Sequence, residues 1–167
     1  MLNKKSPTFK LKDKDGTIHE LSKIKSDYTI VYFYPKDNTP GCTLEAKEFS
    51  KLLPEFKKLK TEIIGISGGD EKSKSKFCEK NRLSIILLSD PDFKVSTTFG
   101  VYGKKKFMGK EYFGISRTTF ILDKNKKIIK IFENVKPIGH AKEVLEFIKS
   151  LKKPNLFLLF LHNFLPN

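Results

Sequence analysis

Tyr28-Thr29-Ile30-Val31-Tyr32-Phe33-Tyr34-Pro35-Lys36-Asp37-Asn38-Thr39-Pro40-Gly41-Cys42 sets an apolar run, a turn and a cysteine in immediate succession. The dense β-branched and aromatic residues of the first seven positions read as a buried strand, and Pro35, which has no N–H to give a sheet, ends it. From Leu44 to Leu59 apolar residues recur at helical spacing, so Cys42 falls where loop hands over to helix. Unpaired backbone amides at a helix start favour a thiolate, the nucleophilic form of cysteine. Pro35 and Pro40 stiffen the approach, Thr39 sets a hydroxyl one helical turn before the sulfur, and Gly41 is expected to allow a backbone conformation closed to larger residues. Cys42 is therefore expected to be a nucleophile, although a lone buried cysteine without such surroundings is usually packing material.

Outward from this stretch the chain alternates strands and helices. Phe9 to Leu21 alternates apolar and polar residues around Asp15-Gly16, which predicts an N-terminal β-hairpin. Glu62 to Ser67 reads as a second buried strand, Asp70 or Ser67 can start a helix holding Phe77 and Cys78, and Ser84 to Leu88 reads as a third strand. A short helix follows through Val95 to Phe99 with a stop at Gly100. Thr118–Leu122 and Lys127–Phe132 flank Asp123-Lys124-Asn125-Lys126 as a further hairpin, and Ile138 to Leu151 reads as an amphipathic last helix. The sum is an α/β fold, a mixed central sheet flanked by helices on both faces. Residues 101–114, rich in glycine and aromatics, read as a loop, either a flexible segment over the rim of a site or a piece packed at the core edge.

The 167 residues suit one domain, here set at 1–153, and 38% hydrophobic with 31% charged residues is the composition of a soluble protein. The start lacks an apolar secretion segment, so the cytoplasm is the expected compartment. Residues 154–167 break from the lysine-rich pattern into an apolar run shorter than the roughly 20 residues of a spanning helix. Packing on the domain or on a second subunit, contact with a membrane surface, and an extension outside the fold all stay open for it. The net charge of +14 is spread along the chain without a nucleic-acid motif, which reads as a solvated lysine-rich surface. Arg82 and Arg117 are the two arginines among 33 basic residues, so a guanidinium at either place stands out from the lysine background. His19, His140 and His162 are isolated, and the two cysteines form no Cys-x-x-Cys pair, so no metal is expected. Two cysteines in a reducing compartment favour redox chemistry over a structural staple.

The arrangement Pro35-x-x-x-Thr39-x-x-Cys42 resembles the active-site signature of the peroxiredoxins, and Tyr32 through Ala46 is similar to the Q-type, or bacterioferritin-comigratory, branch. The likeness continues through Leu87–Asp92, Gly100–Gly103 and Gly114–Asp123 and covers roughly residues 6 to 152. It implies a thioredoxin-like fold without cofactor or bound metal, and reduction of hydrogen peroxide and organic hydroperoxides by the Cys42 thiolate. It assigns Pro35 to shielding the sulfur, Thr39 to hydrogen bonding with peroxide and thiolate, Arg117 to electrostatic stabilisation and Glu45 to holding the arginine. Many relatives in this branch carry a resolving cysteine five residues after the nucleophile, where this chain has Lys47. Another pattern puts that thiol in the next helix, which Cys78 fits. The same resemblance implies recycling by thioredoxin or a similar thiol, antioxidant defence and a monomer. The rivals are a one-cysteine peroxidase resolved by an external thiol, a thioredoxin-like disulfide reductase, and a basic nucleic-acid-binding protein with a structural cysteine.

Overall fold

The computed structural model describes residues 1–154. The expected apolar extension lies, beyond Pro154, outside the described residues. The chain opens with the expected hairpin, β1 (Lys10–Lys12) and β2 (Ile18–Glu20), followed by a single 3-10 turn at Leu21–Lys23. β3 (Tyr28–Phe33), α1 (Pro40–Lys58), β4 (Thr61–Ser67), α2 (Glu71–Asn81) and β5 (Ile86–Ser89) then alternate. After α3 (Lys94–Thr98) come β6 (Tyr102–Phe107), β7 (Lys110–Ile115), β8 (Thr118–Asp123), β9 (Ile128–Phe132) and α4 (His140–Lys152). Seven strands form one mixed sheet in the order β2-β1-β5-β4-β3-β8-β9.

β3 lies at the centre, parallel to β4 and antiparallel to β8, and all but its first residue is buried. A strand covered on both faces reads as a continuous apolar run, which is why the sequence marked it so clearly. Helices flank both faces, but unequally. Phe49 and Phe56 of α1, Phe77 of α2, and Val144 and Ile148 of α4 share one apolar cluster with Ile30, Ile63 and Leu87 of the sheet. Opposite them, Val31, Phe33, Ile64 and Ile66 meet Leu21, Phe99 and Phe120. Both β3-α1-β4 and β4-α2-β5 step the same way along the sheet, and the right-handed rule for such crossovers puts both helices on one side. The other side is left to the five-residue α3 and the N-terminal segment.

Residues 101–114 depart from the loop expectation. β6 and β7 pair as a separate two-stranded hairpin from Tyr102↔Ile115 to Phe107↔Lys110, leaving Met108 and Gly109 as the turn, both with positive φ. That two-residue geometry matches the twist of the strands it joins. Val101 and Ile115 at its base are buried, while Phe107, Met108 and Phe113 are exposed, so the tip is not packed into the core edge.

Pro54 stands inside α1 and removes one helical N–H. The carbonyl of Ser50 that this leaves free accepts from Ser84 Oγ at 3.4 Å, and Ser50 Oγ accepts from Ser84 N at 3.1 Å, which pins α1 to the start of the β5 segment. Gly65 in β4 is required by a close approach: a methyl group there would stand 2.6 Å from Leu87 Cδ2 and 2.7 Å from Tyr32 Cζ. Gly65→Ala is expected to lower unfolding free energy by about 1–3 kcal/mol through overpacking, read from urea denaturation with an unchanged slope.

Candidate active site

Cys42 lies in the first turn of α1, two residues after Pro40, with Thr39 as the flanking extended residue. Strand β3 ends at Phe33, so the loop of residues 34–39 carries the chain from the carboxyl end of a parallel strand to a helix N-terminus. This is the edge at which open α/β sheets hold their ligands. Antiparallel register puts Phe33 opposite Thr118, so Arg117, one residue before β8, emerges at the same edge. The Arg117 carbonyl accepts from Val135 N at 3.0 Å, which fixes its backbone.

Three expected site residues meet here. Arg117 Nη2 donates to Cys42 Sγ at 3.4 Å, and Nη1 donates to Glu45 Oε1 at 3.0 Å. Glu45 sits one turn beyond Cys42 on the same face of α1. Cys42 is 1% exposed and Glu45 fully buried, while the Arg117 side chain keeps 15% of its surface in solvent. Burial pushes the Glu45 carboxyl up from 4.5 to about 7 against the pull of Arg117. Burial also works against the Arg117 charge, but Glu45 and the Cys42 sulfur outweigh it and hold the guanidinium above its ordinary value.

Gly41 serves differently from the sequence expectation. Its φ is not positive, and a Cβ there would stand 3.2 Å from Arg117 Nη2 and from Pro137 Cγ. Glycine is needed for room beside the guanidinium, not for an unusual backbone.

Thr39 Oγ1 donates to the Lys36 carbonyl at 2.9 Å, which closes the loop into a turn and leaves its lone pairs free. Pro35 is exposed on that loop. Cys78 lies in α2, buried and free, in the same apolar cluster as Cys42. Burial pushes the Cys78 thiol up, so it is held in the protonated form. Arg82, the other arginine, is the left-handed C-cap residue of α2 and does not join the cluster around Cys42.

The sequence reading missed a second charged cluster. Asp37, in the loop before Cys42, accepts from Tyr34 Oη at 2.6 Å, Ser73 Oγ at 2.7 Å and Lys74 Nζ at 2.9 Å. Lys74 also donates to Ser67 Oγ at 2.9 Å and to the Gly68 carbonyl at 2.6 Å. The side chains of Lys74 and Asp37 are 0% and 4% exposed. No sequence signal separates one buried lysine from a chain full of solvated ones. His140 at the start of α4 was also passed over; its Nε2 shares a 2.8 Å hydrogen bond with Thr119 Oγ1, and burial lowers its pKa, keeping the imidazole neutral. A cavity of about 790 Å³ lined by Lys57, Lys60 and Lys124 lies at the opposite pole of the sheet, away from Cys42.

The AhpC/TSA family model matches residues 2–131. Peroxiredoxin Bcp of Bacillus subtilis is 40% identical over 152 residues, covering 91% of this chain and 97% of that protein. Peroxiredoxin Bcp of Escherichia coli K12 is 41% identical over 144 residues, covering 86% and 92%. A structure of Xanthomonas campestris Peroxiredoxin Q superposes with a TM-score of 0.81 at 38% identity, covering 87% of this chain and 92% of that one. With the motif at the head of α1, a matching sheet and relatives of this identity along nearly their whole length, the chain belongs to the AhpC/TSA family, in its Q-type peroxiredoxin branch.

Proposed function

We propose that this peroxidase reduces hydrogen peroxide and organic hydroperoxides with Cys42 as the attacking sulfur and Cys78 as the resolving thiol, recycled by thioredoxin. The single observation that carries the reading is the Arg117 fork, shared between the Cys42 sulfur at 3.4 Å and the buried Glu45 carboxyl at 3.0 Å. The Cys42 thiolate attacks the terminal peroxide oxygen, an S–O bond forms, and the O–O bond breaks. Two electrons leave the sulfur, and the departing alkoxide takes a proton to become an alcohol or water. Negative charge thus moves from sulfur to oxygen during the step. A guanidinium fixed beside the sulfur and the amides at the head of α1 stabilise that displaced charge without reorganising. Thr39 Oγ1, its own proton given to Lys36, accepts from the hydroperoxide O–H and orients it. Pro35 screens the sulfur from bulk water, and Glu45 holds Arg117 in place.

The resulting sulfenic acid condenses with the Cys78 thiol: S–O breaks, S–S forms and water leaves. Support comes from two Xanthomonas campestris Peroxiredoxin Q structures with serine at one or the other of two cysteines spaced 36 residues apart, the spacing of Cys42 and Cys78. Activity on alkyl peroxides is ascribed to the bacterioferritin comigratory protein of that organism, in line with organic hydroperoxides as substrates here. Both thiols are buried in their helices, so the first turn of α1 and the end of α2 unwind locally before the bond closes. No helix among the described residues is long and apolar enough to cross a membrane. The reading fits antioxidant defence by a cytoplasmic monomer.

Thioredoxin-coupled peroxide consumption is expected to vanish in Cys42→Ser and to fall about a hundredfold in Arg117→Lys, which keeps the charge but loses the fork. Undiminished turnover in Cys42→Ser rejects the assignment. Non-reducing peptide mass spectrometry after one equivalent of peroxide is expected to find a Cys42–Cys78 link, and oxidised Cys42 without it points to an external resolving thiol. Glu45 sets two opposed pH trends. Its folded pKa of about 7 lies above the unfolded 4.5, so its contribution to stability is complete below 4.5 and is lost as pH rises through 7. Ionised Glu45 is meanwhile the form that anchors Arg117, so activity gains over the same rise. Glu45→Gln is expected to remove about 3 kcal/mol of the wild-type stability difference between pH 4 and pH 8, by urea denaturation, together with a step in kcat/KM near pH 7.

A further inference from the structure

The Asp37 carboxylate joins three pieces of chain that resolution must move apart. Asp37 belongs to the loop that leads into Cys42, Ser67 and Gly68 close β4, and Ser73 and Lys74 stand in the first half of α2. Cys78 follows Lys74 by four residues, one turn further on the same buried face of α2. Ser67 and Gly68 use two of the three Lys74 ammonium protons, and the third goes to Asp37. Tyr34 and Ser73 also donate to the carboxylate, and Ser67 Oγ stands 3.5 Å from it as a further donor. Such a pair, fully removed from water, adds little net stability over an apolar filling of the same volume, but it fixes one geometry because each charge is costly to leave alone.

We propose that Lys74 is a positioning residue for the peroxidase reaction: bonded to Asp37, it holds the Cys42 loop against α2 in the peroxide-reducing arrangement and opposes the opening that brings Cys78 to Cys42. The inference rests on the two-cysteine reading above. Unwinding the head of α1 drags on the loop in which Asp37 is anchored, and lifting Cys78 out of its cluster drags on the helix in which Lys74 is anchored. Both movements strain the same carboxylate. The closed and open arrangements therefore compete, and the pair biases the competition toward the closed one. The step it restrains is the condensation itself, in which the Cys78 thiol proton leaves with the sulfenic hydroxyl as water.

The test is the charge-free double variant Asp37→Asn/Lys74→Met, which leaves no lone buried charge. Rapid quenching and mass spectrometry follow reduced, sulfenic and disulfide forms of the full chain; with no tryptophan present, optical signals are weak. The expected result is an opposite change in two rates: Cys42 oxidation several-fold slower and disulfide closure about tenfold faster, with faster amide exchange in α2 and less sulfinic acid at high peroxide. Ser73→Ala, which removes one bond to the carboxylate, is expected to shift both rates the same ways by less and serves if the double variant does not fold. Phe99→Leu, on the other face of the sheet, is expected to lower stability without moving either rate. Rates within twofold of wild type, or both rates falling together in proportion to lost stability, overturn the proposal. Absence of the disulfide in wild type overturns the parent reading along with it, whereas a wild-type disulfide with unmoved variant rates overturns the clamp alone.

Discussion

One guanidinium shared between a sulfur and a buried carboxyl is the constraint on which the site depends. Arg117 can hold that place because β8 runs antiparallel to β3 in a register that puts its first residue opposite the last residue of β3. A slip of one position would turn Arg117 to the other face of the sheet, since side chains alternate along a strand. The register is set in turn by Ile30, Tyr32 and Ile121 facing one core and Val31, Phe33, Phe120 and Leu122 facing the other. Packing of the two cores thus decides where the positive charge stands.

The arrangement is achieved against desolvation. Glu45 is buried deeply enough for its proton to be held to about pH 7, even with a cation 3.0 Å away. Lys74 is as deeply buried, and burial pulls its pKa down from the ordinary lysine value while Asp37 holds it up. Each charge would be cheaper in water. What burial provides is immobility: a fork that meets both sulfur and carboxyl, and an ammonium with all three protons committed, have little freedom left to reorganise. Under the proposed two-cysteine cycle, in which the site stays fixed during attack and then opens for resolution, such interactions suit the task because they are geometrically exacting but of small net stability.

Much of the fold was legible from local pattern. The apolar run at Tyr28–Tyr34, the Asp15-Gly16 turn, the Asp70 cap and the periodicity of the two long helices each express a preference that tertiary packing reinforces. The stretch at 101–114 reads as a loop because of its glycines and aromatics, and only the two-residue turn at Met108-Gly109 with paired flanks makes it a hairpin. Gly41 was credited with backbone freedom, although its need arises from Arg117, a residue 76 positions away in sequence. Close approaches between distant segments leave no periodic trace.

The sequence by itself determined the kind of chemistry: a cysteine at a helix start after a proline-bounded turn, a threonine one turn before it, and a scarce arginine within a strongly matching motif. Tertiary structure alone decided which charges are buried and what they hold. Residue identity carries charge, but the energy of that charge depends on its distance from water, and only the folded chain sets that distance. Asp37 and Lys74 are one acidic and one basic residue among many until β4, α2 and the Cys42 loop close around them.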